Sequence, residues 1–136
     1  MNGLAFIHFK NFTSRDGVQL ENGFITPIYD NFDVTAQKRI NFEAKNIFIN
    51  NLFPNSEKGY YKHETKKTLI LPLNGELELR IQTPEKKEFA FRLNPTMEFQ
   101  AVIIEPQVEF KLKNCTDTIL MLLHINNEVW DNKNSV

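Results

Sequence analysis

Residues 59–75 read GYYKHETKKTLILPLNG, and within them one histidine stands among tyrosines, lysines and threonines. Histidine titrates near neutrality, so His63 can both take and return a proton, as a general acid/base must. Tyr61 lies two residues earlier. On a strand, residues i and i+2 share a face, so the Tyr61 hydroxyl can meet a substrate oxygen beside the base if that face looks inward. Lys58, Lys62, Lys66 and Lys67 surround the pair, as a cationic rim for phosphate or as a solvated, positively charged loop. A lone histidine beside tyrosines is also an ordinary interior residue satisfied by one hydrogen bond, and tyrosine is a common strand residue. On the residues alone both readings stay open.

Little chemistry is on offer elsewhere. His8 and His124 lie on apolar runs near opposite ends of the chain and read as core or edge histidines. Cys115, the single cysteine, can form no internal disulfide and has no companion at metal-ligand spacing. Tyr60 and Trp130 suit stacking on a sugar or base, but equally packing or a dimer contact. Glu105 and Glu109 either pair with the lysines or sit on a wet face. Sixteen basic residues nearly cancel seventeen acidic ones without a basic stripe, which gives no electrostatic reason to expect nucleic acid.

The elements that must position these residues are short strands. Apolar runs at 4–9, 23–29, 45–53, 67–73, 76–82, 88–93, 99–105, 108–112 and 118–125 are separated by turn signals. Asn74-Gly75 is the strongest hairpin signal among them. The run ELELRIQ alternates apolar and polar residues with a period of two, marking a strand with one wet face. Residues 33–45 have weak helical spacing and read as a loop or an irregular strand. Many short strands without intervening helices predict an antiparallel all-β sandwich or barrel. With 136 residues, 41% apolar and twelve phenylalanines among them, the chain suits one domain with one core over residues 1–136. No run approaches the roughly 20 apolar residues of a membrane helix, and the N-terminus lacks a basic n-region. A soluble, cytoplasmic protein is the expectation.

The spacing of the first stretch resembles the first motif of the cupin superfamily: a glycine, a His-x-His pair, a carboxylate and a glycine seven residues later. Tyr61 takes the first histidine position, His63 the second and Thr68 the carboxylate position, with Gly75 seven beyond. Over roughly residues 46–131 the chain resembles the sugar-nucleotide 3,4-ketoisomerases, the WxcM-like or dTDP-sugar isomerase branch. That family's text resembles RGxHAHK…Q.LI.L.G, where this chain has KGYYKHETKKTLILPLNG. A second motif resembling PPxVWHEM lies against EPQVEFKL from Glu105.

The resemblance implies a cupin-type double-stranded β-helix, that is, an antiparallel jelly-roll barrel. It also implies a homodimer, no metal or other cofactor, and the shift of a carbonyl between C3 and C4 of a nucleotide-linked 4-keto-6-deoxy sugar during polysaccharide precursor biosynthesis. His63 would be the acid/base with Tyr61 as its partner. Lys58, Tyr60, Lys62, Thr68 and Glu109 are the candidate substrate contacts.

Several family residues are replaced. Lys58 stands for an arginine and loses its bidentate fork. Tyr61 stands for a histidine, Thr68 for a glutamine, Glu105 for a proline, and Glu109-Phe110 for a Trp-His pair. With Tyr61, His63, Thr68 and Phe110 at the four cupin ligand positions, only one is a good metal ligand, where tight sites take three or four. Phe110, on the same inner face, would dry that wall. These replacements motivate an alternative: a catalytically inactive member that binds a sugar nucleotide or a protein partner.

Overall fold

The connection that the sequence marks as a hairpin joins two different sheets. A computed structural model describes residues 3–15, 17–19, 21–28, 40–94 and 98–130, and all its regular elements are β-strands. They are β1 (Leu4–His8), β2 (Ser14–Arg15), β3 (Val18–Gln19), β4 (Asn46–Leu52), β5 (Glu57–Lys62), β6 (Thr68–Pro72), β7 (Leu77–Gln82), β8 (Glu88–Leu93), β9 (Gln100–Ile104), β10 (Glu109–Asn114) and β11 (Leu120–Asn126). A five-stranded sheet has the order β1-β9-β6-β11-β4, a four-stranded sheet the order β5-β10-β7-β8, and β2 pairs with β3. Every pairing is antiparallel. The expected all-β, cupin-type jelly roll is the fold observed.

Asn74-Gly75 therefore carries the chain from β6 in one sheet to β7 in the other. A two-residue type I′ hairpin needs positive φ at both positions, and neither residue is among those with positive φ. The Asn74 side chain instead pins the start of β11. Its amide donates to the Ile119 carbonyl at 2.9 Å, and its oxygen accepts from the Met121 N–H at 2.8 Å. The turn at 83–87 is the true hairpin, joining β7 to β8 with Lys86 at φ 67°.

Two other expectations shift. Residues 23–28 hold one bridge, Ile25 to Phe12, in place of a strand; Pro27 has no N–H to give to a ladder. Residues 40–45 are irregular, as expected, while 33–39 lie outside the described residues. In the other direction, β5 is a polar strand that the apolar runs do not mark.

The two sheets pack face to face. Leu52, Ile70, Val102, Ile104, Leu120 and Leu122 of the larger sheet meet Leu77, Leu79, Ile81, Leu93, Phe110 and Leu112 of the smaller one, all buried. Alternation places Leu69, Leu71, Ile103 and Ile125 on the far side of the larger sheet, where Phe9, Ile28, Ile40, Phe42 and Ala44 cover them. This double covering explains why all five residues of β6 are buried. The smaller sheet turns its other face to solvent with Tyr60, Lys62, Glu78, Arg80, Arg92 and Lys111 on it. Arg80 and Arg92 pair there with Glu78, at 2.9 and 3.3 Å.

Candidate ligand site

At one side of the sandwich the edge strands β4 and β5 lie next to each other, and the candidate residues depend on a defect in β5. Lys58 pairs with Leu112, Gly59 with Lys111 and Tyr61 with Phe110, so Tyr60 is an extra residue in the ladder. Such a bulge puts two residues opposite one and reverses the alternation beyond it. Gly59 permits it: its φ is +123°, and a Cβ there would stand 2.8 Å from the Phe110 carbonyl oxygen and 2.9 Å from Lys111 Cα. Lys58 before the bulge and Tyr61 and His63 after it thus all face inward, while Gly59, Tyr60 and Lys62 face out.

Inside, His63 is buried, with its ring 5.5 Å from that of Phe110; the Tyr61 ring is 5.8 Å from Phe110. Burial, and then the Lys66 ammonium, lower the His63 pKa to about 4 against a smaller opposing pull from Glu128. It is therefore a neutral imidazole at pH 7. Burial raises the Tyr61 pKa, so its hydroxyl keeps its proton. The backbone of His63 is fixed where its carbonyl accepts from the Gln107 N–H at 2.7 Å.

The same interior face of the larger sheet supplies residues that sequence reasoning missed. Lys58 Nζ donates to Asn50 Oδ1 at 2.7 Å, and Asn50 Nδ2 lies 3.4 Å from His124 Nε2. His124 stacks on Phe48 with ring centroids 4.6 Å apart, and Phe48 meets Trp130 edge-on at 5.4 Å. Burial, followed by Lys66, His63 and Lys58, lowers the His124 pKa to about 3. The signal for His124 was phase: it continues the inward series of Leu120 and Leu122, just as Asn50 is in phase with Leu52. Above this group a cavity of about 480 Å³ is lined by Phe48, Ile49, Asn50, Asn51, Lys58, Tyr61 and Trp130.

Of the candidates only Lys58 and Tyr61 line the cavity; His63 is buried beyond its wall, and the structure places the others apart from it. Thr68 is buried directly opposite Asn126 across β6 and β11, and its Oγ1, like Asn126 Oδ1, lacks a hydrogen-bond partner. Tyr60 points outward: its hydroxyl donates to Glu88, and Lys111 Nζ sits 4.6 Å over its ring. Burial and the Glu88 contact push its pKa up to about 12. Lys62 and Glu109 are cross-strand partners on that same outer face. The lysines do not form one rim, because Lys66 is buried and Lys67 pairs with Glu105 at 3.3 Å. Tyr60, Lys62 and Glu109 are thus removed from the cavity by strand phase, which the bulge sets. Among the described residues no three His, Cys, Asp or Glu side chains gather as a metal site, and no helix is long and apolar enough to cross a membrane.

No protein-family model matches the sequence, and no curated protein matches it in sequence comparison. Its fold has clear counterparts. The sugar 3,4-ketoisomerase QdtA from Thermoanaerobacterium thermosaccharolyticum, in complex with TDP, superposes with a TM-score of 0.74 at 22% identity, covering 98% of this chain and 87% of that one. The TDP-quinovose 3,4-ketoisomerase WlaRB from Campylobacter jejuni gives 0.76 at 14% identity, over 98% and 92% of the two chains. The TDP-fucose 3,4-ketoisomerase WlaRA from the same organism gives 0.72 at 22%, over 100% and 89%. By superposition over nearly its whole length, this chain has the fold of the TDP-sugar 3,4-ketoisomerases.

Proposed function

We propose that the protein binds a nucleotide-linked 4-keto-6-deoxy sugar in the cavity between β4 and β5 and moves its carbonyl between C4 and C3. The observation that supports this is the presence of Lys58 and Tyr61 in the cavity wall, with a buried, neutral His63 two residues beyond Tyr61 in the chain and outside that wall. In this reading His63 takes the proton from C3, and the C3–H electron pair forms a C3=C4 double bond. The former carbonyl oxygen takes the proton of the Tyr61 hydroxyl. The resulting enediol collapses when the C3 hydroxyl gives its proton to the Tyr61 oxygen and the imidazolium returns one to C4. Proton loss and gain balance, and no oxidant is required. Lys58 meets the negative charge of the diphosphate. A place in polysaccharide precursor synthesis in the cytoplasm follows from the substrate class.

A second reading is a sugar-nucleotide-binding protein without turnover. Phe110, in ring contact with both Tyr61 and His63, favours it, because a phenyl ring cannot act as a second acid or base. The two readings separate in one experiment: incubation with dTDP-4-keto-6-deoxyglucose followed by NMR, with calorimetry alongside. Isomerisation that is lost in His63→Asn supports the first. Binding without conversion supports the second, and absence of both removes the pair.

The protein is further proposed to be a homodimer. Edge strand β4 exposes Ile47 and Ile49, and Phe53 follows it, 70% exposed. A second copy lying along this edge would cover them.

A further inference from the structure

Lys58, Asn50 and His124 come from three strands, β5, β4 and β11, and their hydrogen bonds have a fixed direction. An ammonium has protons and no acceptor, so the atom of Asn50 at 2.7 Å from Lys58 Nζ must be the amide oxygen. The amide nitrogen then faces His124 Nε2 at 3.4 Å, and that ring nitrogen must offer its lone pair. His124 is therefore neutral with its proton on Nδ1. The reversed amide would set two donors against each other at Lys58. His124 is held in place by stacking on Phe48, and both it and Asn50 are over nine-tenths buried. Only the Lys58 end of the chain and Asn50 itself reach the cavity wall.

We propose that His124 and Asn50 are positioning residues: the one-way chain Lys58 to Asn50 to His124 holds the lysine ammonium at the cavity wall, where it receives the anionic part of the ligand. The nature of that anion, a nucleoside diphosphate, rests on the sugar-nucleotide reading above; the chain itself does not. A flexible four-carbon lysine stem loses affinity through its many rotamers. Fixing its end beforehand lowers the ordering cost of binding. The chain is also selective, since a protonated His124 would present a donor to the Asn50 amide and release it.

Two measurements test this. In uniformly 15N-labelled protein at neutral pH, long-range proton–nitrogen correlations should show His124 with a bare Nε2 and a protonated Nδ1. A protonated Nε2 overturns the chain whatever the ligand is. Titration calorimetry with dTDP is the second. His124→Gln, whose amide oxygen can accept where Nε2 did, should bind within about threefold of the native protein. His124→Leu should bind about tenfold more weakly, and should cost nothing further in a Lys58→Met background. Equal losses in Gln and Leu variants, or an undiminished loss in the Lys58→Met background, would mean a purely structural histidine. If His124→Leu does not fold, Asn50→Ala reads the same contact from its middle. If dTDP does not bind the native protein, the sugar-nucleotide reading falls, and the tautomer still decides the chain.

Discussion

Phe110 touches the rings of both Tyr61 and His63 and is fully buried, so the proposed acid/base works against an apolar wall. That dryness has a thermodynamic side. The folded-state pKa values of His63 and His124 lie at about 4 and about 3, below the ordinary value of 6.5. In this case the unfolded chain binds protons that the folded one refuses. The contribution to stability is complete above about pH 6.5 and is lost as pH falls through the folded-state values. Urea titrations should show stability declining below about pH 6.5, by up to about 1.4 kcal/mol per pH unit for each histidine. A flat profile from pH 7 to 4 would contradict the burial of both rings. At this scale the sequence exposed the features that obey a period of two: Tyr61 and His63 on one face, with Phe110 beside them. It hid His124, because a histidine in an apolar run looks the same whether it fills space or ends a hydrogen-bond chain.

At the scale of elements, the β5 bulge decides which residues belong to the cavity. Strict alternation would have put Lys58 with Tyr60 and Lys62; the extra residue puts it with Tyr61 and His63. Gly59→Ala meets both a disfavoured φ and backbone atoms under 3 Å away, and is expected to cost about 2 kcal/mol or more. Denaturant midpoints measure it, and a variant as stable as the native protein would show that the bulge is not required. This bulge was not legible because its signal is a single glycine in a polar strand without an apolar rhythm. Asn74-Gly75 shows the converse: a strong local turn signal was overridden by a side chain that bonds across to β11. Strands with an apolar period, β7 above all, were legible to within a residue or so.

For the whole molecule, the larger sheet is covered on both faces and the smaller on one. Loop and strand residues from the N-terminal third provide the second cover, a role that their composition did not announce. Ile47, Ile49 and Phe53 leave apolar surface bare on and beside β4. If a second copy covers them, Ile49→Lys should convert a dimer to a monomer in light scattering after size exclusion. A native protein that is already monomeric removes the dimer proposal. All-β class and sandwich architecture followed from strand spacing alone. How the sheet edges meet, and hence where the cavity opens, depends on contacts distant in sequence.

Trp130 is the only tryptophan in the chain, and it stands half-exposed at the cavity, edge-on to Phe48. The molecule thus carries a built-in optical gauge of its own occupancy. A ligand settling between Trp130 and Lys58 would remove water from the indole, so its emission should move to shorter wavelength or be quenched in proportion to filling. Candidate sugar nucleotides could be ranked this way one by one without a label or a coupled assay, and Trp130→Phe should silence the signal.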